Sequence, residues 1–235
     1  MLVRLGVRFV KTWGNIMIRK ILLAGAASLA IAAPAVAQEV SVSGNVAIST
    51  DYVWRGVSQT NGDMAISGGF DLESGGFYAG TWVSNVDFND SADTNIEWDF
   101  YAGFAGDLTE NVGFDIGLIY YAYPDSAGLD YDFVELYGGL STELGAGVGL
   151  SGYIYWDPDN ENIYVEAAAG YALTETLGVD ATVGNYSFDG GGDYTTFSVG
   201  ATLATSVGLD LDFRYWDTDI TGADDAFVFT VSKAL

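Results

Sequence analysis

The sequence predicts an all-β fold, a transmembrane antiparallel up-and-down β-barrel of about twelve strands, with ten as the alternative count. Three observations predict it. Apolar and polar side chains alternate with period two through most of the chain. Tight turns alternate with polar loops. No apolar run beyond residue 37 reaches the ~20 residues that a membrane helix needs.

The first 37 residues stand apart. They carry Arg4, Arg8, Lys11, Arg19 and Lys20 and no acidic residue. An apolar stretch from Ile21 to Ala33 follows, then Ala35-Val36-Ala37, an A-x-A cleavage site before Gln38. Basic start, apolar middle and small-residue exit predict a secretory signal peptide over 1–37. The segment before Met17 falls outside this pattern, so Met17 is the expected start. Residues 38–235 form a single expected domain. They keep three basic residues, Arg55, Arg214 and Lys233, against all 32 acidic ones, a formal charge of −29 (3 − 32). That charge excludes nucleic acid as a partner. The aromatic and β-branched content excludes a disordered acidic tail. Cysteine and histidine are both absent, which removes disulfides, thiolate metal sites and imidazole catalysis.

The strands follow from the alternation. Val40, Val42, Val46, Ile48, Tyr52 and Trp54 share one parity over 40–54. In 95–104, Ile96, Trp98, Phe100, Ala102 and Phe104 oppose Asn95, Glu97, Asp99, Tyr101 and Gly103. Leu209, Leu211, Phe213 and Tyr215 oppose Asp210, Asp212, Arg214 and Trp216 in 208–216. Such runs recur at 40–56, 64–72, 76–88, 95–106, 112–123, 131–142, 148–157, 162–172, 178–188, 194–203, 207–217 and 226–235, with 76–88 the weakest.

The connections are of two kinds. A tight Leu-x-x-x-Val/Leu-Gly turn recurs at 108–113, 144–149, 173–178 and 203–208. The other set is polar and Asp-rich, at 57–63, 89–94, 124–130, 157–161, 189–193 and 217–225. Trp54, Phe88, Tyr123, Trp156, Phe188 and Trp216 precede these loops and suggest an interfacial girdle. Short turns at one end and polar loops at the other are the pattern of an outer-membrane barrel. A soluble periplasmic β-protein also alternates, and stays as an alternative.

Four segments carry a family likeness: Asp-Tyr-Val-Trp-Arg-Gly-Val-Ser-Gln at 51–59, Gly69-Phe-Asp71, Gly-Phe-Tyr-Ala-Gly-Thr-Trp-Val-Ser-Asn-Val-Asp-Phe at 76–88, and Glu-Trp-Asp-Phe-Tyr-Ala-Gly at 97–103. The chain resembles the TorF family of porins, small outer-membrane proteins of proteobacteria. The resemblance implies a barrel, an outer-membrane location in a Gram-negative cell and pore activity. It supplies no catalytic or ligand residue.

With the apolar parity facing lipid, the expected lumen set includes Arg55, Glu97, Asp99, Asp115, Tyr121, Glu135, Tyr153, Tyr155, Glu166, Asp180, Tyr186, Asp210, Asp212 and Arg214. Strand direction puts Arg55 and Arg214 together near the outer end, facing Glu97, Asp99, Tyr121 and Tyr155. The expectation is a constriction whose transverse field orients polar solutes and whose acidic excess favours cations. The same groups could instead plug the lumen with hydrogen bonds.

No enzyme is expected, because the acids recur along strands without a focused cluster and have no histidine beside them. No cofactor is expected either. Divalent cations are the one ligand the acidic loops invite. Asp217 and Asp219 copy the start of an EF-hand loop that lacks its final Glu, and Asp157, Asp159 and Glu161 form another oxygen cluster. The expected function is passive passage of small hydrophilic solutes, with outer-membrane lipid and lipopolysaccharide as surroundings. A closed structural or adhesive barrel is the alternative.

Overall fold

The computed structural model describes residues 40–144 and 147–235. The expected signal peptide lies outside the described residues, as do Gly145 and Ala146 of one tight turn. Alternating β-branched, aromatic and glycine residues extend the described residues into fourteen strands. They are β1 (Ser41–Ser49), β2 (Val53–Trp54), β3 (Val57–Ser58), β4 (Ala65–Ser74), β5 (Phe77–Asn85), β6 (Ile96–Thr109) and β7 (Val112–Ala122). There follow β8 (Phe133–Leu144), β9 (Val148–Asp157), β10 (Asn162–Ala172), β11 (Leu177–Ser187), β12 (Asp193–Ala204), β13 (Asp210–Thr218) and β14 (Ala226–Ala234).

Every strand except β2 and β3 joins one closed antiparallel barrel in sequence order, twelve strands in all, and β14 pairs with β1 to complete it. Closure runs from Asn45↔Ala234 to Ser49↔Thr230, with the Ser49 and Thr230 hydroxyls 2.8 Å apart. Closure leaves no edge with unpaired amides, the condition for strands to lie in hydrocarbon. The strands are 9–14 residues long, against the ~9–11 residues that a tilted strand needs to cross.

The outer face is apolar and uncovered. Phe70, Leu118, Leu140, Ile154, Val165, Val183 and Phe213 are all exposed. A continuous belt of this kind is far beyond the scattered apolar residues of a soluble surface. The weak alternation of 76–88 has a local cause. Gly80 faces inward on β5 because the Tyr101 ring lies over it, where a Cβ would come within 2.6 Å of ring carbons.

One part of the wall was misjudged from the pattern. The run 40–56 breaks after Ser49, and β2–β3 forms a separate two-stranded hairpin that turns into the barrel. Tyr52 and Trp54, expected on the lipid face, are inside it. The expected girdle changes with them: Tyr123 and Trp216 are also buried inward, whereas Trp156 is exposed outward. The outward aromatic residues nearest the long loops are instead Trp98, Phe100, Tyr120, Trp156 and Phe227.

Candidate functional site

The candidate site is the half of the lumen nearest the long loops, and the hairpin builds it. The tip residues Arg55 and Gly56 have φ values of 50° and 81°, the two left-handed residues of a type I′ turn. Glycine is required at 56, where a Cβ would stand 2.4 Å from Thr196 Oγ1 and from Thr218 Cγ2. The tip therefore abuts the β12–β13 wall. At the base, the Ser58 and Thr60 hydroxyls donate to Asp51 Oδ1 at 2.7 and 2.8 Å, and the Gln59 amide donates to the Tyr52 carbonyl at 2.6 Å.

The hairpin meets the wall on every side. Tyr52 packs with Ala65, Trp82 and Val86 on β4–β5 and the loop after it. Val53 packs with Trp216 and Val228 on β13–β14. Trp54 packs against the large cluster of Ile119, Tyr121, Tyr155, Tyr164, Tyr186 and their neighbours on β7–β12. Alternation gives many inward positions to Tyr, Gly or a carboxylate, and rings such as Tyr164 over Gly184 and Tyr153 over Gly139 interleave with glycines in the lumen.

Arg55 sits at the centre, 3% exposed. Its Nη1 and Nη2 donate to Glu135 Oε1 and Oε2 at 2.7 and 2.8 Å, a two-pronged pair. The Tyr121 hydroxyl donates to Glu135 Oε2 at 3.0 Å. The guanidinium carbon lies 4.1 Å from the Tyr164 ring centre, 4.2 Å from Trp54 and 5.0 Å from both Tyr155 and Tyr186. This is an aromatic cage closed by a carboxylate.

Three further polar groups line the inside. Glu97 accepts from the Tyr52 hydroxyl at 2.8 Å and from Tyr123 at 3.0 Å. Asp115 accepts from the Tyr78 hydroxyl at 2.6 Å, and that hydroxyl also meets Tyr137. Arg214 donates to both oxygens of Asp180 at 2.6 and 2.9 Å and to Asp212 at 3.1 Å, with its guanidinium over Gly200.

The two arginines expected at one level are apart. The Arg55 tip lies at Thr196 on β12 and Arg214 lies at Gly200, four residues further on, about 13 Å along a strand. Arg55 reaches Glu135 rather than Glu97 or Asp99, because it arrives on the hairpin and not on β1. Asp99 is buried on the inward face of β6, Tyr153 and Glu166 are cross-strand partners on β9 and β10, and Asp210 is half-buried at the turn end of β13. Tyr52, Trp54 and Tyr164 were missed. Tyr164 was legible, since it shares the parity of Glu166 two residues on.

Among the described residues, no three His, Cys, Asp or Glu side chains gather to hold a metal ion. The acidic loops use their oxygens on their own backbone instead. Asp157 accepts from the Asp159 and Asn160 amides at 3.0 and 3.1 Å and from Asn160 Nδ2 at 2.7 Å, while Glu161 turns the chain with a φ of 54°. Asp217 Oδ1 accepts from the Thr218 amide, and Asp219 Oδ1 accepts from the Thr195 amide across to β12. Capping of this kind competes with metal coordination. In the loop 86–95, hydrogen bonding from Thr94 and from the Ala92 amide holds the Asp90 carboxyl below the usual carboxylate range.

A family model described as a bacterial protein of unknown function, Gcw_chp, matches residues 33–234. The chain belongs to the Gcw_chp family. This match does not carry the TorF label that the motifs suggested, so the narrower likeness rests on those motifs alone. No curated protein matches the chain. Among solved structures, the chain is similar to the KdgM porin, at 7% identity and a TM-score of 0.60, covering 82% of this chain and 97% of that one. The NanC porin gives 8% identity and a TM-score of 0.55 over 83% and 98%. The COG4313 outer membrane channel from Pseudomonas putida F1 gives 12% and 0.50 over 87% and 99%. At these identities the likeness shows the shared barrel fold.

Proposed function

We propose that this Gcw_chp barrel resides in the outer membrane and passes small hydrophilic solutes by diffusion, cations in preference. The observation that carries this reading is the acidic inward face. Asp71, Glu73, Glu97, Asp115, Glu135, Glu166, Asp180, Asp210 and Asp212 lie on inward parities against only Arg55 and Arg214. An excess of inward carboxylates along a low-dielectric tube repels anions and concentrates cations. The apolar belt supports the location, and the porin fold of the similar structures supports a channel. The belt contacts lipid, and the acidic loops face the lipopolysaccharide layer. A second KdgM structure is a complex with disordered oligogalacturonate. That anionic ligand does not suit an acidic lumen and is not carried over. No enzymatic step is proposed, since the chain has no histidine and the best-placed carboxylates are held by arginine or tyrosine.

A specific observation favours a second reading, a closed structural barrel: the hairpin touches the wall on every side of the outer half. Single-channel recording of the refolded chain in a planar bilayer across a salt gradient separates the two. Conductance steps with a cation-selective reversal potential are expected. A folded, inserted barrel that stays silent would overturn the channel reading in favour of the closed one.

A further inference from the structure

We infer that the cage around Arg55 is a binding site for guanidinium-bearing organic cations, with Arg55 as its resident occupant. The lumen wall supplies every recognition element such a ligand needs. Glu135 presents both oxygens to a planar fork, the geometry that matches guanidinium and that an ammonium does not fill. Tyr155, Tyr164 and Tyr186 present rings to the cation's faces. All four of these residues belong to the barrel wall, on β8, β9, β10 and β11, and not to the hairpin.

A second observation points to a ligand larger or better endowed with hydrogen bonds than Arg55. The Tyr164 hydroxyl and Glu166 Oε2 are buried beside each other, and neither makes a hydrogen bond of ordinary geometry. Tyr164 is 1% exposed and Glu166 7%. Glu166 lies on the same inward face of β10 as the cage ring Tyr164, two residues away. Buried acceptors left without a well-formed hydrogen bond are uncommon, and each costs stability that a donor would restore. A free guanidinium compound with a further ammonium or hydroxyl group could reach Glu166 while its fork sits on Glu135. Arg55 uses its fork on Glu135 and makes no hydrogen bond to Glu166.

The occupant is held on a strained tether. Arg55 is a non-glycine residue at φ 50° in a tight turn, and the hairpin carries only two cross-strand pairs of its own, Val53↔Ser58 and Trp54↔Val57. The packing of Tyr52, Val53 and Trp54 adds to the hold, so the effective concentration of Arg55 exceeds the roughly millimolar level of a short flexible linker. A solute that outcompetes Arg55 for Glu135 removes the central anchor of the hairpin and loosens the outer half of the lumen. This consequence for passage rests on the channel reading, whereas the binding itself does not.

The test uses the refolded chain in detergent micelles with methylguanidinium as the probe, followed by tryptophan emission, since Trp54 lines the cage. Arg55→Ala empties the site. It is expected to bind methylguanidinium saturably and at least about tenfold more tightly than the native chain, where Arg55 competes. Adding Glu135→Gln should abolish that binding, and tetramethylammonium at equal concentration should not replace the probe. No saturable binding to a folded Arg55→Ala barrel would overturn the inference, as would unchanged binding after Glu135→Gln or equal binding of tetramethylammonium. Where Arg55→Ala does not refold, Arg55→Lys serves. It fills the cage without the fork and should still bind the probe more tightly than the native chain, equal affinity being the refuting result. Binding that follows this pattern in a barrel that never conducts would leave the site standing and remove the channel reading instead.

Discussion

Glu135→Gln tests the seat of the hairpin directly. The substitution keeps the shape of the side chain and the acceptor for the Tyr121 hydroxyl but removes the charge that holds Arg55 at 2.7 and 2.8 Å. Breaking a buried ion pair by losing one partner costs about 3–5 kcal/mol, because the remaining charge stays desolvated. The rings of Trp54, Tyr155, Tyr164 and Tyr186 still attract the guanidinium, so the lower end applies. About 3 kcal/mol corresponds to roughly a hundredfold in an equilibrium. The loss falls on the hairpin and not on the barrel, whose ladders run past residues 51–63 without using them. Trypsin reads the result, since it cleaves after arginine and Arg55 is only 3% exposed. When opening and closing are fast, cleavage tracks the population of the open form. The native barrel should resist cutting between Arg55 and Gly56, and Glu135→Gln should be cut there roughly a hundredfold faster. Equal rates in the two folded proteins would refute the argument that this pair holds the hairpin down.

Two further outcomes are expected. Gly184→Ala places a Cβ 2.1 Å from the Tyr164 hydroxyl oxygen and 2.5 Å from Cζ, on a ring already packed by its neighbours. Overpacking of this kind costs about 1–3 kcal/mol, read as a lower urea midpoint for the folded band on a gel. The loop 86–95 should loosen in acid. Asp90 has a depressed carboxyl in the folded state, so its contribution is present above the unfolded value near pH ~4 and is lost as pH falls through the folded one. Amide exchange at Ala92 and Thr94 should rise over that acid range and lose this pH dependence in Asp90→Asn.

The sequence by itself determined the barrel. Period-two alternation is a local property, written into each strand by its own residues, and the recurring Leu-x-x-x-Val/Leu-Gly turns fixed the meander. The inward parity of Glu135, Tyr155, Glu166 and Tyr186 was legible for the same reason, since once one face is assigned to lipid the other follows residue by residue. The tertiary structure decided what that lumen contains. Tyr52 and Trp54 continue the outward parity of β1, and alternation alone cannot tell an apolar ring against lipid from one against Trp82 or Tyr121. A local signal did exist: Arg55-Gly56 followed by Ser58, Gln59, Thr60 and Asn61 breaks the apolar run with turn chemistry. Even so, that signal predicts only a turn. That the turn enters the barrel, and that Arg55 meets Glu135 eighty residues on, depends on closure bringing β8 opposite the hairpin. Burial of a charge is settled by which partner the closed sheet places beside it, a long-range condition that no window of neighbouring residues contains.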